Sequence, residues 1–227
     1  MSSIVVSGDT SGSVTLSAPA VAGSTVLTLP SVSGTVLTSA TGQTLTSPTI
    51  TSPTITGAIV SAMGSSVITS GTAVASTSGT LIDFTGIPSW AKRVTVMFNG
   101  VSTSGTSNYL IQLGTSGGVV SSGYVASAST QNGGFQYVSL TSSVGLILNN
   151  ISAGGGTAAQ LWNGLVIISL LSGNNWVSFG NIINNVNGYP GTSAGSIALA
   201  SVLTQVRITT VNGTDTFDAG SINILYE

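Results

Sequence analysis

The sequence predicts an all-β protein: an antiparallel, jelly-roll-like β-sandwich that follows an extended N-terminal arm. From about Val67 onward, short apolar segments alternate with polar residues and are separated by turns rich in Gly and Asn. Short strands at regular spacing with such turns are typical of β-sandwiches. No segment combines the length and the 3.6-residue period of an amphipathic helix. Hydrophobic residues make up 41% of the chain, which is enough for a substantial core.

The composition divides the chain into an arm over residues 1–66 and a knob over residues 67–227. Residues 1–66 contain no aromatic side chain and, after Asp9, no charge. Their apolar runs are only three to five residues long, as in SVTLSA, STVLTLP and GTVLTS. Strands this short cannot form a core by themselves. We therefore expect an extended, β-like arm rather than a second domain.

Aliphatic residues recur every five positions within the arm, at Leu45, Ile50 and Ile55. A stride of five matches neither the helix period of 3.6 nor the strand period of 2. Pro48 and Pro53 favour extended geometry between these residues. One hypothesis is a disordered linker of low complexity. The other, which the regular stride favours, is an arm whose Leu45, Ile50 and Ile55 bind neighbouring chains at an oligomer or capsid interface.

The knob contains eight predicted strands, several of which alternate cleanly between apolar and polar residues. Leu165–Leu171 is continuously apolar apart from Ser169 and predicts a fully buried strand. The complete set is Val94–Phe98, Tyr109–Leu113, Phe135–Leu140, Val144–Leu148, Leu165–Leu171, Trp176–Phe179, Val202–Val211 and Ile222–Tyr226.

Charged residues make up only 4% of the chain, and the runs from Thr10 to Ile82 and from Val94 to Val206 contain none. Three basic residues cannot form the surface that nucleic acid requires. With no histidine or cysteine, a serine nucleophile would lack its usual base. No stretch approaches the ~20 apolar residues of a membrane-spanning helix. We expect no enzyme activity, cofactor, metal, nucleic-acid partner or membrane insertion, and no secretory signal at the N-terminus.

The few carboxylates favour structural roles. Asp215 and Asp218 lie in NGTDTFDAG, a Gly-bounded loop, where Asp commonly caps turns. A weak cation site and catalysis are the alternatives. Asp83 precedes a Gly-Ile-Pro turn and is expected to bind local backbone. Either Lys92 or Arg93 could pair with Asp83, or both could be solvated.

The aromatic residues raise a carbohydrate-binding hypothesis. Asn surrounds Trp176 and Tyr189 in SGNNWVSFGNIINNVNGYP. An exposed ring can stack on a sugar while Asn binds its hydroxyls, so Trp176 and Tyr189 are candidate glycan contacts. The alternative is that the tryptophans fill the core between the sheets, the commoner place for Trp in a sandwich.

Two segments resemble a domain found in tail fibres, tailspike tips and capsid surface proteins of tailed bacteriophages. One contains the F-x-G-I-P-S-W turn from Phe84 to Trp90 and the strand that follows it; the other is the closing DTFDAGSINILYE. SGSVTLSAPAVAGSTVLTLP and TLTSPTITSPTITG likewise resemble leading segments of phage virion proteins. The resemblance implies a homotrimeric β-sandwich knob displayed on a virion, without catalytic residues.

The chain is short for a tail fibre and has no obvious shaft between arm and knob, which favours a compact capsid-bound protein. We therefore expect a homotrimeric capsid decoration, or cement, protein on the outer capsid surface. It would bind the major capsid protein and contribute to host recognition. The alternative is a short tail fibre or receptor-binding tip that contacts host surface glycan.

Replacing both Ile50 and Ile55 with Asp tests the arm hypothesis. We expect the double variant to lose trimerisation or particle attachment, because charged side chains cannot be buried where aliphatic anchors dock. The knob should stay folded, as judged by circular dichroism. Attachment equal to that of the wild type would contradict the anchor role.

Overall fold

The structure is a computed structural model that describes residues 3–7, 9–17, 68–131, 137–151, 156–158, 160–186 and 188–227. The chain divides into two units, Met1–Ala58 and Ile59–Glu227. In the first unit, strands β1 (Ser3–Ser7) and β2 (Ser13–Ser17) form an antiparallel hairpin. The expected anchors Leu45, Ile50 and Ile55 and the boundary expected between residues 66 and 67 lie outside the described residues.

The second unit is an antiparallel β-sandwich, which confirms the predicted fold class. No α-helix occurs within the described ranges. Its strands are β3 (Thr69–Ser70), β4 (Val74–Ala75), β5 (Leu81–Thr85), β6 (Arg93–Thr103), β7 (Tyr109–Thr115), β8 (Gly118–Val119), β9 (Val125–Gln131), β10 (Tyr137–Ser142), β11 (Leu146–Ile147), β12 (Trp162–Ser172), β13 (Asn175–Asn184), β14 (Pro190–Ala198), β15 (Gln205–Thr210) and β16 (Phe217–Tyr226).

These strands form two sheets. The nine-stranded sheet runs in the order β10-β9-β14-β13-β12-β6-β16-β3, and β4 also pairs with β16. The five-stranded sheet runs in the order β11-β7-β15-β5, and β8 pairs with β7. The chain passes repeatedly between the sheets, for example from β5 to β6 and from β6 to β7. Residues distant in sequence therefore become neighbours in the core.

The core lies between the inner faces of the two sheets. Along β6, Val94 and Val96 are fully buried, whereas Arg93 is exposed and Thr95 is half-buried. On β15 of the facing sheet, Val206 and Ile208 are fully buried. This alternation is the period-2 pattern that the sequence displays. The largest fully buried side chains are Trp162, Tyr109, Phe217, Leu110, Ile111, Leu113, Ile147, Leu148, Ile168, Ile182, Leu203 and Ile208.

Each of the eight predicted strand segments overlaps an observed strand, but β5, the two-residue strands β3, β4 and β8, and the longer β9 and β14 were not predicted. The last two are the longest of these. Their sequences, VASASTQ and PGTSAGSIA, are rich in Ser, Ala and Gly, which have low β propensity. They extend because β14 pairs with both β13 and β9. Tertiary pairing rather than local preference makes them strands.

Gly220 occupies an irregularity in the pairing of β16 with β6, where the register shifts between Ala219 and Ser221. Its φ of +89° lies in the region that favours glycine. A Cβ at Gly220 would lie against the carbonyl oxygens of Gly100 and Asn99. Glycine is therefore required here for both conformation and space.

A pair of Gly→Ala variants separates these two requirements. Gly213 has a φ of +67°, but a Cβ added there would meet no atom within 4 Å, so Gly213→Ala should cost roughly 1 kcal/mol of backbone strain. Gly220→Ala should cost roughly 3 kcal/mol, because the clash adds to the strain. Urea denaturation of the full chain measures both values. Equal losses in the free energy of unfolding would contradict the close approach of Gly220 to the carbonyl oxygens of Gly100 and Asn99.

Candidate functional site

The loop carboxylates bind neighbouring loops and strands. Asp215 accepts hydrogen bonds from the backbone N–H of Ser107 at 2.9 Å and from Nδ2 of Asn212 at 2.6 Å. It thereby ties the β15–β16 loop to the β6–β7 loop. Asp218 accepts a hydrogen bond from the hydroxyl of Ser102 on β6. Within the described ranges, no group of three or more His, Cys, Asp or Glu side chains could hold a metal ion. The contacts of Asp215 agree with the turn-capping interpretation, whereas Asp218 lies on β16 rather than in the loop and joins β16 to β6.

Asp83 pairs with Arg207, and not with Lys92 or Arg93 as one hypothesis held. Two hydrogen bonds of 2.7 Å join Nε and Nη2 of Arg207 to the two carboxylate oxygens. The hydrogen bond to Asp83 raises the pKa of Arg207. The pair forms because β5 and β15 are antiparallel neighbours whose register places Asp83 opposite Arg207. Arg93 instead pairs with Glu227.

Two buried tyrosines hold strands together. The Tyr124 hydroxyl accepts a hydrogen bond from the backbone N–H of Leu113 at 2.7 Å and donates one to the carbonyl of Val120 at 3.0 Å. Burial raises the pKa of Tyr124 to about 12. Burial likewise raises the pKa of Tyr109, whose hydroxyl donates to the carbonyl of Val101. Both hydroxyls therefore stay protonated at neutral pH and act as structural groups.

The two candidate glycan contacts are not brought together. Trp176 is only 4% exposed and packs in the core near the start of β13. Tyr189 is half-buried near the other end of this strand, where its carbonyl accepts a hydrogen bond from the backbone N–H of Asn184. Roughly 25 Å of strand separates these ends. Trp176 as placed cannot stack on a sugar, and its position corresponds to the core alternative.

An open hollow lies on the outer face of the five-stranded sheet. Its volume is about 480 Å³, and its lining includes Arg207, Gln112 and Thr209 together with the apolar Leu81 and Val144. Gln112 donates through Nε2 to the carbonyl of Val144 at 2.8 Å. Arg207 binds Asp83, and the hydroxyl of Thr209 donates to the carbonyl of Thr80 at 2.8 Å. The sequence gives no signal for this hollow, because it forms from segments that are far apart along the chain.

The outer face of the nine-stranded sheet carries an exposed apolar ridge. The ridge consists of Leu165 and Ile167 on β12 with Val177 and Phe179 on β13. Ile167 and Phe179 lie directly opposite each other in the ladder. Phe179 is 58% exposed, so burying the rest of its ring would contribute about 1–2 kcal/mol.

A trough lined by small side chains lies beside the ridge. It consists of Ser127 and Ser129 on β9 with Thr192 and Ala194 on β14. A shallow hollow of about 250 Å³ extends along these residues and is bounded by Phe179. In the ladder, Ala194 lies opposite both Phe179 and Ser127. Ridge and trough are therefore adjacent parts of one surface.

The expectation that Leu165–Leu171 is fully buried is wrong, because the ridge includes exposed residues of this segment. Leu165 is 43% exposed and Leu171 is 70% exposed, whereas Val166 and Ile168 are buried. β12 therefore buries one face only, although both faces are apolar. The sequence does contain a signal for this surface, because a continuously apolar strand in an antiparallel sheet has an apolar outer face.

Titration of Tyr124 provides a test of the buried hydrogen bonds. We expect the free energy of unfolding to fall as the pH rises from about 10 to about 12. Over this range the unfolded tyrosine loses its proton and the folded one retains it, so the unfolded state binds fewer protons. Tyr124→Phe should reduce this fall and should cost about 1 kcal/mol at neutral pH.

Urea denaturation across the pH series measures both effects. Tyr137→Phe is the matched control, because the Tyr137 side chain is exposed, and it should change stability at neutral pH by less than about 0.5 kcal/mol. A pH dependence of Tyr124→Phe identical to that of the wild type would contradict the assignment.

Comparison with known proteins gives no assignment of family. No family model, curated protein or solved structure matches the chain. No helix within the described ranges is long and apolar enough to cross a membrane.

Proposed function

We propose that this chain is a bacteriophage virion structural protein, a homotrimeric capsid decoration protein on the outer capsid surface. It reinforces the shell by binding the major capsid protein and contributes to host recognition, without enzyme activity or a cofactor. The resemblance of the Phe84–Trp90 turn and of the closing DTFDAGSINILYE to virion surface domains supports this proposal. The arm binds the capsid shell through Leu45, Ile50 and Ile55.

The observation that carries the proposal is the uncharged, partly apolar part of the outer face of the nine-stranded sheet that β9, β10, β12, β13 and β14 form. Strands β9, β10, β12, β13 and β14 contain no ionisable side chain other than Tyr137. Contiguous exposed apolar surface marks sites of protein association. A decoration protein must bury shared surface against many identical neighbours without charge repulsion, and this face satisfies that requirement.

Many small apolar contacts, repeated on each arm, provide the free energy that attaches the trimer to the capsid. Apolar surface removed from water contributes about 25 cal/mol per Å². Three arms on one trimer then bind as a unit, because the first contact raises the effective concentration of the others. Weak individual anchors therefore suffice for stable decoration.

A short tail fibre or receptor-binding tip that contacts host surface glycan is the second candidate function. The hollow on the five-stranded sheet favours it, because its lining sets the polar Arg207 and Gln112 beside the aliphatic Leu81 and Val144. Hydrogen-bonding groups set beside apolar surface suit sugar recognition. In this alternative the glycan site lies at that hollow and not at Trp176.

Copy number in purified particles distinguishes the two candidates. Quantitative mass spectrometry against the major capsid protein should give hundreds of copies per particle for a decoration protein, because a symmetric shell repeats its binding site many times. A few dozen copies or fewer would indicate the tail. Absence of the chain from particles would overturn both.

A further inference from the structure

We propose that copies of this chain associate through the outer face of the nine-stranded sheet, with Phe179 of one copy seated in the trough of the next. The trough is the surface formed by Ser127, Ser129, Thr192 and Ala194, as defined above. This inference rests on the proposed homotrimer and identifies the surface that holds it. It assigns assembly to the knob, so that the arm is free to bind the shell.

The lack of charge on ridge and trough excludes strongly charged occupants and is compatible with a second copy. Ridge and trough contain only Leu, Ile, Val, Phe, Ala, Ser and Thr side chains. Nucleic acid or an acidic or basic protein would find no opposite charge to bind here. Identical copies can meet on this face without placing like charges together.

Shape points to the same occupant. Phe179 projects from β13, and the hollow of about 250 Å³ lies immediately beside it. The hollow is shallow but open because β9 and β14 carry only Ser, Thr and Ala at the outer positions that line it, Ser127, Ser129, Thr192 and Ala194. The projection of one copy and the recess of the next are two different patches, and contacts between different patches can close a ring of three copies. The proposed function supplies the number of copies, three, and the geometry of ridge and trough supplies the residues that form the contact.

The face is large enough for a specific interface. Five adjacent strands at about 4.8 Å spacing and about six residues at 3.3 Å rise span roughly 24 Å by 20 Å. A face of that size offers about 500 Å² on each copy, so three copies around one axis would bury about 1,500 Å² in total, above the lower limit of about 1,000 Å² for a biological interface. The exposed side chains of the ridge increase the area further.

Two variants test the contact from its two sides. Phe179→Asp removes the projecting ring and places a charge in the interface, and Ala194→Trp fills the trough. Both positions are exposed, so the fold should tolerate either change. Val211→Asp is the matched control, because Val211 is similarly exposed but lies outside the nine-stranded sheet.

Sedimentation velocity of the full chain gives the mass of each variant in solution, and circular dichroism reports folding. We expect an oligomeric wild type and Val211→Asp control, with at least tenfold weaker association for both Phe179→Asp and Ala194→Trp. A monomeric wild type overturns the proposal, whatever else covers the face. Unchanged association of the two folded variants also overturns it. If Phe179→Asp fails to fold, Phe179→Ser replaces it, and the proposal is judged from Phe179→Ser together with Ala194→Trp.

The sedimentation experiment and the copy-number experiment test different proposals, so either can fail without the other. A chain that assembles through this face but is absent from particles overturns the proposed function alone. A chain present in hundreds of copies, whose Phe179→Asp variant still assembles, overturns the interface alone. Assembly through this face into dimers supports the interface and contradicts the trimer.

Discussion

Burial of apolar side chains between the two sheets is the interaction on which the rest of the structure depends. The described residues contain two ion pairs, Arg93–Glu227 and Asp83–Arg207, and both are partly exposed. Exposed pairs contribute little to stability. The chain therefore relies on the continuous cluster of Val, Ile, Leu and aromatic residues that fills the space between the sheets. The pairing of β12 with β13 and β6 presents this cluster to the five-stranded sheet.

Uncharged hydrogen bonds stabilise several loops of the sandwich. Asn149 is buried and accepts a hydrogen bond from the backbone N–H of Tyr109 at 3.0 Å. The side chain of Asn108 accepts a hydrogen bond from the backbone N–H of Ile151, and that of Asn163 accepts one from the backbone N–H of Gly100. Both bonds are 2.7 Å long. These side chains satisfy backbone groups that would otherwise be buried without partners. Because no charge takes part in these three bonds, salt does not screen them.

The neutral exterior links the fold to the proposed function. A strand such as β12 buries one apolar face and exposes another, so the sheet that encloses the core also carries apolar side chains on its outer face. The ion pair of Asp83 with Arg207 lies on the other sheet, beside the open hollow. The five-stranded sheet therefore carries an ion pair beside its hollow, whereas the ridge and the trough on the nine-stranded sheet contain no charged side chain.

The sequence by itself determined the fold class, the alternation of apolar and polar residues in several strands, and the absence of charge from β9, β10, β12, β13 and β14. These follow from local alternation and composition, which need no knowledge of the partner strands. Only the tertiary structure decided that VASASTQ and PGTSAGSIA are strands, that Trp176 is buried, that Arg207 and not Lys92 or Arg93 pairs with Asp83, and that Phe179 stands beside a trough. Each of these depends on which strands are neighbours and in what register, and the pairing of distant segments is set by the packing of the whole core rather than by any short stretch of residues.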